Sequence, residues 1–283
     1  MAARTASTIG TMPKPRRVTF AFPDDLAVAW NPTNPEFSYA ANSISLLMPY
    51  AEPFFIRSVR AALPELDGRL AERATAFVQQ EAQHHRQHRH LNDLLVAQTP
   101  GLARLERGMA RTYGWLGRTR SLRFNLAFAA ASETIAFTLA RWSARHLGTF
   151  FGGADPVAAT VFLWHLAEEV EHKSVAFDVW QAVDGKRLRY LFGMIATCSI
   201  LLFFVPLSII TMMHGDRRLF RPSTHIHMAT LTLSFLFQCL PDLAASTLPH
   251  HHPDNFTDPP WMTTWLQTYD PETQTMPLWT RAA

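Results

Sequence analysis

The sequence predicts an all-α protein: a four-helix bundle that carries ionisable residues inside it, followed by a hydrophobic, membrane-inserted helical segment. Three observations predict this class. Apolar residues recur at steps of three and four while strand-like alternation is almost absent. Each of the four periodic faces is apolar at both ends and carries glutamate or histidine in the middle. An uncharged run, "YLFGMIATCSILLFFVPLSIITMM" from Tyr190 to Met213, exceeds the roughly 20 residues that span a bilayer core.

The first helix is expected over 41–62, where Ile44, Met48, Glu52, Phe55, Val59 and Ala62 share a face. After the break "LPELDG" the second runs over 68–97, with Leu70, Ala74, Phe77, Glu81, His84, His88, Leu91 and Leu95 turned inward. An extra helix is expected near 102–115. The third bundle helix, 121–147, aligns Leu122, Leu126, Ala129, Glu133, Ala136 and Ala140. Beyond "FGGADP" the fourth, 157–183, aligns Val161, His165, Glu169, His172, Ala176, Val179 and Val183. The run over 190–213 reads as a membrane helix that Pro206 would kink. A second apolar stretch, "HMATLTLSFLFQCLPDLAAS", is interrupted by Gln238, Pro241 and Asp242 and reads as re-entrant, interfacial or buried. Basic residues flank the first run on both sides, so charge bias does not orient it. A hairpin anchored at one anionic leaflet accommodates both clusters, and the alternative is a helix buried between the protomers of a homo-oligomer.

Four segments follow: a flexible, basic N-terminal tail and lead-in over 1–36, a metal-binding helical bundle over 37–185, a hydrophobic membrane-associated segment over 186–248, and an irregular tail over 249–283 whose three consecutive histidines are expected to be solvated. A net charge of +3 with scattered basic residues argues against nucleic acid as a partner. Cys198 and Cys239 both lie in apolar stretches, which suggests neither a disulfide framework nor a thiolate metal site. The N-terminus lacks the apolar run of a secretory signal, so the bundle is expected in the cytoplasm, associated with the membrane.

Glu81-x-x-His84 and Glu169-x-x-His172 each place a carboxylate and an imidazole about 60° apart around a helix, within reach of one point. Glu52 and Glu133 add one carboxylate from each of the other two helices. This is the donor set of ferritin-like bundles that hold two irons or two manganeses. Burying four carboxylates needs compensation, and two divalent cations would bring the site close to neutral. Oxygen and nitrogen donors without sulfur suit iron first, with manganese or zinc also compatible. His165, one turn before Glu169, and His88, one turn beyond His84, are either further ligands or satisfied core histidines. His85 and His90 point away from this face, and Glu168 and Glu171 beside it read first as ion-pair partners of Lys173 or a neighbouring helix, with orientation of a ligand or proton carrying as the alternative.

At "FSYAANSISLLMPYAEPFFIRSVR", "FVQQEAQHHRQHRHLN" and "WHLAEEVEHKSVAFDVW" the chain resembles the bacterial family described as predicted metal-dependent hydrolases. The resemblance runs from about Phe37 to Val183 and aligns the family's motif residues with Glu52, Glu81, His84, His88, His165, Glu169 and His172. It implies a metal site. The spacing His165-x-x-x-Glu169-x-x-His172 is also similar to di-iron oxygenases that oxidise arylamines.

Three functions are therefore expected in order. The first is an O2-dependent di-iron oxidoreductase in which Glu52, Glu81, Glu133 and Glu169 take part, acting on a small hydrophobic or amine substrate drawn from membrane lipid, with dioxygen and an electron donor as partners. The second is a metal-dependent hydrolase in which a dinuclear site activates water. The third is a membrane protein that binds metal without catalysis.

Overall fold

The computed structural model describes residues 11–280, and all of the regular structure among them is helical apart from one isolated bridge between Asp270 and Thr275. The helices are α1 (Pro35–Ser45), α2 (Met48–Ala62), α3 (Gly68–Gln98), α4 (Leu102–Thr119), α5 (Leu122–Arg145), α6 (Leu147–Phe151), α7 (Pro156–His172), α8 (Val175–Val183), α9 (Arg187–Gly215), α10 (Pro222–Ser246) and α11 (Pro260–Leu266). Their starts follow from local chemistry. Asn34, Ser121 and Asp155 accept bonds from the first free N–H groups of α1, α5 and α7, and Pro35 and Pro156 occupy first-turn positions where no N–H is needed.

Two predicted helices are each divided in two. The segment expected over 41–62 breaks at Leu46 and Leu47, because Pro49 has no N–H to give the Ser45 carbonyl and the Leu47 N–H turns to the Ile44 carbonyl at 2.9 Å instead. The segment expected over 157–183 breaks at Lys173 and Ser174. Here the side chains turn to other partners: Lys173 Nζ to Asp258 and to the Phe256 carbonyl, and Ser174 Oγ to Arg73 Nη2 at 2.8 Å. Pro206 and Pro241, by contrast, lie inside continuous helices, and the second apolar stretch, expected to be a re-entrant, interfacial or buried helix, is one full helix with few buried residues.

Helices α2, α3, α5 and the α7–α8 pair pack around one core, with α4 against α2 and α3, and with α9 laid along α5 and α1. At one end Trp30 stacks on Phe162 with ring centroids 5.2 Å apart, and Phe37 stacks on Phe150 at 4.2 Å. Apolar closure at this end keeps water from the ionisable middle of the bundle.

Of the tail expected to be flexible over 1–36, residues 1–10 lie outside the described residues, and 11–34 are docked on the bundle. Val18, Leu26, Val28 and Trp30 are buried, and the Phe20 N–H donates to Gln87 Oε1 at 3.3 Å. Enough apolar side chains lie between its polar residues to dock an irregular strap on the bundle. The C-terminal segment, expected to be an irregular tail, carries the short helix α11 and is packed: Met262 and Met276 are buried, and the Trp279 N–H donates to Thr160 Oγ1 at 2.7 Å. Of its three histidines only His250 is exposed, while His252 Nε2 sits 2.8 Å from Asp178 Oδ1. Both cysteines are free thiols.

Candidate metal centre

Four helices bring the predicted donors together. Glu52 comes from α2, Glu81, His84 and His88 from α3, Glu133 from α5, and His165, Glu169 and His172 from α7, and every one is buried. They form two clusters. Donor atoms of Glu81, His84, Glu169 and His172 lie within 4.8 Å of one another, as do those of Glu52, His88 and His165. Glu133 joins the first through His172, whose Nδ1 is 3.1 Å from Glu133 Oε2. His165 connects the two clusters, its Nε2 lying 2.8 Å from Glu169 Oε1 and 3.6 Å from Glu52 Oε1.

The donors fit a cation because hydrogen bonding leaves them unsatisfied. Both oxygens of Glu52 and of Glu81, one each of Glu133 and Glu169, His84 Nδ1 and both ring nitrogens of His172 are buried without a hydrogen-bond partner. Buried polar atoms in that number are normally paired, and here they all converge on one region. Burial, reinforced by the neighbouring carboxylates, raises the carboxyl groups of Glu52 and Glu169 well above the usual range and that of Glu133 above it. Burial opposes charge on His84, but the bond that its Nε2 donates to Glu168 and the nearby charges of Glu81 and Glu168 outweigh it and push this imidazole up to about 10. Burial, with the neighbouring charges of His84 and His85, brings His88 down to about 3.

A chain of hydrogen bonds fixes the ring protons on the histidines left open by the sequence. Asn92 Nδ2 donates to the Ser45 carbonyl at 2.8 Å, which orients the amide so that Asn92 Oδ1 accepts from Ser45 Oγ at 2.7 Å. The Ser45 hydroxyl has then spent its proton, so its 2.8 Å contact with His88 Nδ1 requires that nitrogen to donate. Neutral His88 consequently accepts at Nε2 from His165 Nδ1 at 2.6 Å. That leaves the lone pair of His165 Nε2 facing Glu169 and Glu52.

Two residues outside the predicted set support the site. Glu168 is buried and makes no pair with Lys173; its Oε2 takes the His84 Nε2 proton at 3.0 Å, and its Oε1 takes Arg16 Nη1 at 3.0 Å. Arg16, from the N-terminal strap, also bonds Glu171 at 3.0 and 3.1 Å. Glu168 thereby turns His84 Nδ1 toward the cluster. His85 donates from Nδ1 to the Glu81 carbonyl at 3.1 Å, and His90 is exposed, so both point away as expected.

Fold and site together define an all-α bundle with buried His/Glu clusters suited to metal, a metal-dependent enzymatic site. The family model for predicted metal-dependent hydrolases matches residues 14–256, and the chain belongs to that family. No curated protein and no solved structure matches it.

Proposed function

We propose that the protein is a metal-dependent hydrolase with two divalent cations in its bundle, acting on a small hydrophobic substrate. The observation that carries this reading is the convergence of buried carboxylate and imidazole atoms without hydrogen-bond partners, in a chain of a hydrolase family. Glu81, His84, Glu133, Glu169 and His172 would hold one cation, and Glu52, His165 and Glu169 the other. Two such ions supply water activation and polarisation of a carbonyl or phosphoryl oxygen.

The chain's own residues do the rest. Glu168 accepts from His84 Nε2–H, and His88 Nε2 accepts from His165 Nδ1–H, so each imidazole is presented through the opposite nitrogen. His88 thus serves as the partner of a ligand and not as a ligand. Trp164, edge-on to His84 at 4.9 Å, and Phe77, edge-on to His172 at 4.9 Å, exclude water from the far sides of these rings.

The donor set favours a second reading. Two Glu-x-x-His pairs plus one glutamate from each of two other helices is the arrangement of oxygen-activating carboxylate sites, so an iron-dependent oxidoreductase using dioxygen and an electron donor is the alternative. The two separate experimentally. Protein loaded anaerobically with zinc or manganese should hydrolyse carboxylic or phosphoric esters with apolar substituents and stop on chelation. Absence of anaerobic turnover, together with rapid oxygen uptake by the iron-loaded, reduced protein, overturns the hydrolytic reading in favour of the oxidative one.

A further inference from the structure

Helices α9 and α10 are each long and apolar enough to cross a bilayer, but their neighbours argue for a different placement. α9 is fastened to the bundle along its whole length. Tyr190 Oη meets Thr134 Oγ1 at 2.9 Å, a Cβ on Gly193 would lie 2.8 Å from the Ala127 carbonyl oxygen, and Asp216, just past its end, accepts from Tyr39 Oη at 2.6 Å. Its other face exposes Phe192, Ile195, Leu202, Phe203 and Ile210. α10 is fastened through Trp142 to Ser234 at 3.0 Å, His146 to Gln238 at 3.1 Å and Arg141 to Asp242 at 2.5 Å, and exposes Ile226, Leu233, Phe237 and Leu240. Both pack on α1 and α5, and the short connection over residues 216–221 joins them.

A crossing would draw charge into hydrocarbon. α4 lies against the middle of α9, where a Cβ on Gly108 would meet Phe204 at 3.1 Å, and the same stretch of α4 exposes Arg104, Arg107 and Arg111. Arg145 is exposed beside α10. Arginine at the bilayer centre is among the least tolerated residues. Residues 186–248 also carry six basic and two acidic side chains. Both acids, Asp216 and Asp242, are engaged by the protein. Lys186, Arg217 and Arg221 at the helix ends are exposed, and Phe220, 88% exposed, projects between Arg218 and Arg221.

We propose that α9 and α10 lie flat in one anionic leaflet, with their outer faces among the acyl chains, their end arginines at the headgroups and the bundle outside the bilayer. This docking is independent of the reaction assigned to the metal centre.

The test uses Phe192→Cys, Leu202→Cys and Ile210→Cys, each labelled with bimane in a full-length background carrying Cys198→Ser and Cys239→Ser whose metal content matches the parent. Partition is measured on phosphatidylcholine vesicles with and without phosphatidylglycerol, with quenchers placed at graded depths. Flat docking predicts tighter binding to the anionic vesicles, loss of that preference at high salt, and one shallow depth for all three labels. A deep label at 202 between shallow labels at 192 and 210 would show that α9 spans. No vesicle binding, with a stable dimer in buffer that protects all three labels, would assign the face to a second copy of the chain. Phe220→Glu should weaken vesicle partition roughly tenfold or more with metal content unchanged, and unaltered partition would also count against the proposal.

Discussion

Replacing Glu168 by glutamine tests whether the buried carboxylate beside the metal centre sets the orientation of His84. Glu168 offers one oxygen to His84 Nε2 and the other to Arg16 Nη1, each at 3.0 Å. A glutamine has one acceptor oxygen, so one of these buried donors must face an N–H₂ group instead, at a cost of about 1–3 kcal/mol. Loss of a residue that orients a ligand typically weakens metal affinity about 10–100-fold, or about 1.4–2.8 kcal/mol. The assay is anaerobic competition between the protein and a chelator of known affinity, with thermal unfolding in parallel. Glu171→Gln is the control: it removes a charge and an Arg16 partner, at 3.0 Å, without touching His84. The expected result is the full loss for Glu168→Gln and at most about a threefold change for Glu171→Gln. Equal, small effects in both would refute the orienting role and reduce Glu168 to an ordinary anchor for the N-terminal strap.

Two other substitutions probe the site and the frame that holds it. His165→Ala should lower the metal content of the purified chain, because its Nε2 lies between Glu169 and Glu52 at 2.8 and 3.6 Å, whereas His88→Phe should keep the content and weaken affinity by about tenfold; equal loss of metal in both would place His88 among the ligands. Trp30→Ala removes a fully buried ring stacked on Phe162 and leaves Asn42 Oδ1 without its 2.9 Å donor, so denaturant unfolding should show a loss of about 3–5 kcal/mol. A loss below about 1 kcal/mol would mean that the aromatic end does not hold the bundle closed.

The helices and the ionisable residues that converge inside the bundle were legible because both are periodic. Glu52, Glu81, His84, Glu133, Glu169 and His172 interrupt apolar stripes at helical spacing, and a stripe predicts burial whatever the partner. Arg16 left no such signal: it is one arginine in an irregular segment, and its partner Glu168 is distant in sequence. Glu168 itself lies beside the stripe, and its contact with His84 depends on the relative rotation of α3 and α7, which no single helix encodes. The break before α2 had a local signal in Pro49 that the apolar spacing across it concealed. The break at Lys173 had none, because its partners Asp258 and Phe256 arrive from the C-terminal segment. The order of the N-terminal strap was hidden for a related reason, since irregular backbone buries Val18, Leu26 and Val28 without any repeat.

The most direct test of the account is elemental analysis of anaerobically purified protein, repeated on His172→Ala and paired with melting curves before and after chelation. The account predicts about two divalent ions per chain, a marked fall in His172→Ala, and a lower Tm when the buried carboxylates lose their counter-charge. Trace metal in the parent chain, with a Tm indifferent to chelator, would contradict it.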